Sequence, residues 1–183
     1  MEKKIFVLCG PGGVGKSKVA KAVAEKMGLK FVTAYTTRDR RKEETSSDYN
    51  FVTKNDFLNF VKNGEMAEYS LFCGDYYGRK MVDFDSALSC ANACLTIIDP
   101  ISIKNIKNLE FFVDKKVVII FIDADDDKLK ERLTKRHEKE EILDRKLKNA
   151  NKERKSKQFC DFVVQNNDSD ECISEICKII SQF

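Results

Sequence analysis

The sequence predicts an α/β protein on a mainly parallel sheet, interrupted by a small antiparallel insert, and three observations carry that prediction. A glycine-rich turn, Gly10-Pro11-Gly12-Gly13-Val14-Gly15-Lys16-Ser17, joins an apolar run to a helical pattern near the N-terminus. Apolar runs of strand length then alternate with helical periods along the rest of the chain. Between about residues 34 and 79 this alternation gives way to short strands punctuated by turns.

Taken in order, Ile5 to Cys9 reads as a buried strand, and Lys18 to Met27 as a helix with Val19, Ala22, Val23 and Met27 at helical spacing. The turn between them fits G-x-x-x-x-G-K-[ST]. Glycines at 10, 12, 13 and 15 permit positive φ, so that successive N–H groups can face a polyphosphate at the helix N-terminus. Lys16 is then placed for the β- and γ-phosphates and the Ser17 hydroxyl for Mg²⁺. A nucleoside triphosphate site follows; the plainer alternative is a turn that only joins strand to helix.

Phe31 to Thr33 is a short strand, and the polar stretch from Ala34 to Ser47 carries Arg38, Arg40 and Arg41. Thr53 is placed to cap a helix over about Asn55 to Lys62, and Asn63-Gly64 makes a turn. Glu65 to Phe72 reads as a strand of imperfect alternation, followed by a turn at Gly74-Asp75. Asp83 to Ala91 reads as a helix, Cys94 to Ile98 as a buried strand, and Asp99-Pro100 as the start of a short helix. Val117 to Ile122 is the next buried strand, and a long helical stretch from Asp127 breaks near Arg136-His137. Asp161 to Gln165 is the last strand, and Glu171 to Ile180 a closing helix with Ile173, Ile176, Ile179 and Ile180 inward.

The totals exclude several classes. With 183 residues, 42% of them hydrophobic, the chain suits one soluble domain. Mean hydropathy is -0.43, and the longest purely apolar run, Val117 to Ile122, is far too short to span a bilayer. Ile5 to Cys9 is too short for a signal peptide. Seven cysteines without a C-x-x-C pair, beside one histidine, argue against zinc and against a disulfide framework. Free thiols, mostly acting as small buried hydrophobes, suit a cytoplasmic location. The net charge of +3 disfavours a general nucleic-acid binder. From Lys128 to Lys157, however, 13 Lys and Arg face 6 Asp and Glu, which reads as a solvated basic face or an anion clamp.

Tyr35-Thr36-Thr37-Arg38 through Arg41, Asp48-Tyr49-Asn50-Phe51-Val52, Gly64-Glu65 with Glu68-Tyr69, and Gly74-Asp75-Tyr76-Tyr77-Gly78 resemble guanylate kinases, in register from about Lys4 to the C-terminus. The resemblance implies a P-loop kinase with a five-stranded core sheet (1–33, 80–126 and 158–183), a nucleoside-monophosphate insert (34–79) and a helical lid region (127–157). It implies transfer of the ATP γ-phosphate to GMP or dGMP with Mg²⁺, and no nucleic-acid, membrane or obligatory protein partner. Matching residue by residue, ATP falls to Gly10, Gly12, Gly13, Val14, Gly15, Lys16, Ser17 and Lys18, with the adenine near Asn166. The acceptor phosphate falls to Arg38, Arg41, Tyr49 and Tyr77, the guanine to Glu68, and the transferring phosphoryl to Lys16, Arg38, Arg136 and Arg145. Tyr76 reads as a core residue instead.

The chemistry of these residue types agrees. A carboxylate such as Glu68 accepts from guanine N1–H and the 2-amino group together and meets only a lone pair at adenine N1; an exposed strand glutamate is the alternative. Arginine forks suit a phosphate dianion, and exposed surface arginines are the alternative. A phosphate acceptor needs no general base.

Three positions depart from the family pattern. Ala34 and Arg79 stand where hydroxyl side chains normally meet the base, and Ile97 stands where the first of two aspartates is expected, leaving Asp99 alone. Arg79 is expected to donate to guanine O6 in their stead. Asp99 reads either as a nucleotide or water-mediated Mg²⁺ contact, or as a helix cap before Pro100. The loop from Arg41 to Tyr49 is one residue short and lacks its usual glycines. A guanylate-kinase-like module that binds phosphorylated peptide without catalysis, and a kinase of altered acceptor, are the competing readings.

Overall fold

The computed structural model describes residues 2–41, 44–45, 48–72, 74–135 and 140–183, with the side chains of 140–145 outside the description. Five strands form a parallel sheet: β1 (Lys4–Cys9), β2 (Lys30–Val32), β7 (Ala93–Ile97), β8 (Lys116–Asp123) and β9 (Phe162–Gln165). Their order is β2-β7-β1-β8-β9, with β1 central. Every pairing in it is parallel, so each connection crosses a face and covers it with helix.

Burial on both faces explains the unbroken apolar runs. Ile5, Val7 and Cys9 of β1 join Val117, Ile119 and Phe121 of β8 on the side packed by Phe84, Leu88, Ile103 and Phe112. Phe84 and Leu88 lie on α3 (Met81–Ala91), and Ile103 lies in a 3-10 segment, Ser102–Asn108. Phe6 and Leu8 face the other way with Val118, Ile120 and Ile122, against α1 (Lys16–Met27) and α6 (Ser169–Ile180). In α6, Ile176, Ile179 and Ile180 are buried as the spacing predicts, while Ile173 is half-buried.

A second sheet holds β3 (Tyr35–Thr36), β4 (Asn50–Phe51), β5 (Met66–Phe72) and β6 (Asp75–Lys80) in the order β4-β3-β6-β5. It is not wholly antiparallel as expected: β3 and β4 pair in parallel, which the long connection from Thr37 to Tyr49 permits and a tight hairpin does not. Between β3–β4 and β5 runs α2 (Lys54–Lys62), capped by the Thr53 hydroxyl on the Asp56 N–H. The imperfect alternation of β5 has a physical cause, a bulge between Met66 and Glu68. It turns the adjacent Ala67 and Glu68 both inward.

Two helices, α4 (Asp126–Thr134) and α5 (Glu140–Glu153), follow β8; the expected break at Arg136-His137 lies outside the described residues. Among the described residues, no helix is long and apolar enough to cross a membrane. The six described cysteines are free: Cys9, Cys94, Cys172 and Cys177 are buried, Cys160 is half-buried and Cys90 is exposed. Burial pushes the Cys94 thiol up to about 12 and the Cys172 thiol up to about 11. Iodoacetamide at neutral pH, read by peptide mass spectrometry, is therefore expected to modify Cys90 well before Cys94 or Cys172.

Candidate active site

The glycine loop leaves the C-terminal end of β1, and the sheet dictates its residues. Gly10 has φ +141°, and a Cβ there would lie 2.0 Å from the Ile122 carbonyl oxygen of β8, so only glycine lets the chain leave the sheet at this point. Gly15, at φ +95°, precedes α1, and a Cβ there would meet Asn166 Nδ2 at 2.7 Å. Gly13 is also at positive φ, but Gly12 is not, contrary to expectation. A Cβ at Gly12 would meet nothing within 4 Å, so neither strain nor crowding requires glycine there. No side chain caps α1, which leaves the N–H groups of its first turn to an incoming anion.

Lys16 Nζ donates to the carbonyls of Gly10 at 2.6 Å and Pro11 at 2.8 Å. Val14 is buried in the core, and its carbonyl accepts from Asn166 Nδ2 at 2.7 Å and Arg132 Nη1 at 3.2 Å. Asn166 thus holds the loop from beneath, and its buried Oδ1 has no hydrogen-bond partner. Ser17 and Lys18, the next two residues of α1, are exposed.

One cleft lies between the two sheets. The core side contributes Ser17, Lys21, Phe31 and Ile97, and the insert side contributes Ala34, Asp48, Tyr49 and Arg79. All three departures from the family pattern therefore line it together.

Arg38 and Tyr49 meet at its insert side, with the guanidinium carbon 5.3 Å from the ring centroid. Tyr77 packs on Tyr49 at 6.1 Å, and burial raises its hydroxyl while the nearby Arg38 guanidinium favours ionisation. Tyr76, by contrast, stacks on Phe57 at 5.4 Å. Glu44, which sequence reasoning missed, grips Arg38 with both oxygens at 2.8 and 2.9 Å. It also accepts from the Arg41 N–H at 3.0 Å, while the Arg41 side chain is exposed. Burial opposes ionisation of both Arg38 and Glu44. The bidentate pair outweighs it, raising the arginine and lowering the carboxyl.

Glu68 and Arg79 are joined at 2.5 Å, both nearly fully buried. Arg79 Nε donates to Thr96 Oγ1 at 2.6 Å, and Thr96 donates on to the Val32 carbonyl at 2.8 Å. Arg79 lines the cleft, whereas Glu68 is reached through it. Burial raises the Glu68 carboxyl despite the adjacent guanidinium.

Asp99 spends its carboxylate locally. One oxygen accepts from the N–H groups of Ile101 and Ser102, at 2.9 and 3.0 Å, as the capping alternative foresaw. The other accepts from the hydroxyls of Ser102, at 2.5 Å, and of Ser70 in β5, at 2.8 Å. Arg136 lies outside the described residues, and Arg145 lies in α5 with its side chain outside them.

Two further acids were missed. Asp48 accepts from Lys21 Nζ of α1 at 2.6 Å, tying the insert to the core. Glu153, which ends α5, is buried and accepts from the Gly12 N–H at 3.1 Å. Glu153 stands between Lys152 and Arg154 in sequence, whereas Asp48 meets Lys21 only in the fold.

A five-stranded parallel sheet whose central strand ends in this glycine loop is the fold of the P-loop kinases. The family model described as guanylate kinase matches residues 2–183. The guanylate kinase of Fusobacterium nucleatum is 30% identical over 178 residues, which are 96% of this chain and 95% of that protein. That of Mesomycoplasma hyopneumoniae is 31% identical over 188 residues, covering 98% and 94% respectively. The crystal structure of guanylate kinase from Anaplasma phagocytophilum matches with a TM-score of 0.77 at 25% identity, covering 99% of this chain and 86% of that one. The chain belongs to the guanylate kinase family.

Two outcomes follow from the geometry. Thr96→Val removes the partner of both Arg79 Nε and the Val32 carbonyl in a buried site, and is expected to cost about 2 kcal/mol or more in urea unfolding. Lys21 and the Thr45 N–H hold the Asp48 carboxyl down to about 2. The tie is therefore complete above the ordinary carboxyl value and lost as pH falls through about 2. In Lys21→Met the carboxyl midpoint, followed by NMR, is expected to move up toward that ordinary value.

Proposed function

We propose that the chain transfers the γ-phosphoryl group of ATP to GMP, giving ADP and GDP. The observation that carries this reading is the cleft in which Ser17, beside the phosphate loop, faces Tyr49 and Arg79 of the insert. In this reading residues 34–79 bind the monophosphate, 127–157 form the lid, and the remainder holds ATP.

Gly10, Gly12, Gly13, Val14, Gly15, Lys16, Ser17 and Lys18 would receive the triphosphate. The Asn166 Oδ1, buried without a partner, suits the donor amino group of adenine. Arg38, Arg41, Tyr49 and Tyr77 would cradle the acceptor phosphate, with Glu44 giving way to it. Arg136 and Arg145 would neutralise the transferring group. Asp99 would lie toward the ribose, though its cap and Ser70 bonds must be kept or exchanged. The Ser17 hydroxyl, exposed at the first turn of α1 and lining the cleft, fits one ligand position of Mg²⁺, which when bound supplies charge neutralisation at the phosphates.

Because the acceptor is itself a phosphate dianion near neutral pH, no side chain has to remove a proton from it. The chain's task is then in-line alignment and charge neutralisation of two mutually repelling anions, together with exclusion of water. At the base, Arg79 lines the cleft with Nε held by Thr96 and Nη1 by Glu68, and a further hydrogen bond donated from it would suit guanine O6 and oppose the amino group of adenine.

One observation favours a second reading, a changed acceptor. Glu68, the residue expected to read guanine, is already paired to Arg79 and does not itself line the cleft. Coupled ADP release measured with GMP, dGMP, AMP, CMP and UMP separates the two. GMP is expected to lead by at least tenfold in kcat/KM, and Arg79→Ala to reduce the preference for GMP over AMP by about tenfold, the worth of one base-reading arginine. An unchanged preference removes Arg79 as the base reader. Release of ADP with none of the acceptors would return the reading to a binding module.

A further inference from the structure

The Glu153 carboxylate has no part in the reaction described above, yet it sits on the phosphate loop. Its Oε2 takes the Gly12 N–H at 3.1 Å; burial raises its carboxyl, Lys16 and the Gly12 N–H favour its ionisation, and Asp99 opposes it. We propose that Glu153 is an internal competitor of the triphosphate, which occupies the loop until ATP displaces it. The proposal rests on the reading of this loop as the ATP site.

Three features support it. A carboxylate and a phosphate oxygen are both anionic acceptors for the same loop N–H groups, so the contact stands in for the ligand chemically. A triphosphate arriving beside a buried carboxylate meets like charge where screening by water is weak, so the two do not share the loop at low cost. The backbone at the end of α5 is also fixed independently of the contact. Arg154 binds Asp123 at 3.0 Å, Asp126 at 2.6 Å and the Ala124 carbonyl at 2.8 Å, and Lys157 binds Asp123 at 2.7 Å. Glu153 can therefore leave Gly12 by rotating its own side chain while the helix end stays on β8.

Lys16 is poised in the same sense. Its ammonium lies on the Gly10 and Pro11 carbonyls and has to swing to reach a phosphate. Binding thus exchanges a set of internal contacts for ligand contacts, and product release exchanges them back. Glu153 weakens ATP and ADP together and hastens ADP departure.

The test is nucleotide affinity in Glu153→Gln and Glu153→Ala, read by calorimetry with Mg·ATP and Mg·ADP, with thermal unfolding as the check on folding. Both variants are expected to bind each nucleotide about tenfold tighter, the scale of one like-charge contact in a partly buried site, with slower ADP dissociation and a KM for GMP within twofold of the parent. A residue that merely braces the loop gives the opposite sign, and unchanged or weaker binding by folded variants overturns the proposal. Should neither variant fold, the parent chain labelled with ¹⁵N-glycine decides. The Gly12 amide, assigned through Gly12→Ala, is expected to shift at saturating Mg·ATP, and a Gly12 amide that stays put while Gly13 and Gly15 move overturns the exchange. Failure of the parent itself to bind Mg·ATP would instead remove the triphosphate reading of the loop.

Discussion

Positive charge and open N–H groups cannot be gathered in a partly buried place without a counter-charge, and that constraint organises the whole cleft. Glu44 closes on Arg38 and the Arg41 N–H, Arg79 closes on Glu68, and Glu153 closes on Gly12. Each pocket assigned to a phosphate or a base is satisfied from within. A ligand then replaces an internal partner rather than filling a bare charge, and its net affinity is a difference between two similar sets of bonds. Specificity is set by how well each set fits, so a weakly bound cleft can still discriminate strongly.

A second set of bonds holds the insert against the core. Lys21 of α1 meets Asp48, Ser70 of β5 meets Asp99, and Arg79 of β6 meets Thr96 of β7, and polar struts of this kind can be exchanged one at a time. Apolar packing adds to them, since Ala67 of β5 is buried in the core cluster with Phe84 and Ile103. The loop, in contrast, has almost no freedom at its ends. Gly10 is pressed against the Ile122 carbonyl and Gly15 against Asn166, so motion in the cleft belongs to side chains and to the insert.

Much of this was legible in the residues. The apolar runs of β1, β7 and β8 announced a sheet buried on both faces, and the turn from Gly10 to Ser17 announced its own place at the end of the central strand. The Thr53 cap was equally readable, because it depends on neighbours close in sequence, whereas Tyr76 is half-buried and stacks on Phe57 of α2. Most of what escaped depends on contacts across the fold. Glu153 and Asp48 look like ordinary surface acids until the chain brings them to the Gly12 N–H, 141 residues away, and to Lys21, while Glu44 lies only 6 residues from Arg38, in an irregular stretch that gives no periodic signal. The positive φ expected of Gly12 failed because a glycine motif states what the backbone is permitted and not what it adopts. The parallel pairing of β3 with β4 was hidden because its cause is the length of an irregular connection, not a pattern within either strand.

The bulge in β5 carries a consequence for divergence within the family. It is the one extra residue that lets Ala67 and Glu68 both face inward. Beyond it Glu68, Ser70 and Phe72 alternate regularly with exposed Tyr69 and Leu71, and Glu68 pairs with Arg79. Loss of the Ala67 codon would therefore restore regular pleating by turning over Met66 and the approach from α2, leaving the carboxylate opposite Arg79. Length at this bulge thus governs how the chain enters the hairpin, while the Glu68–Arg79 pair is set by the register beyond it.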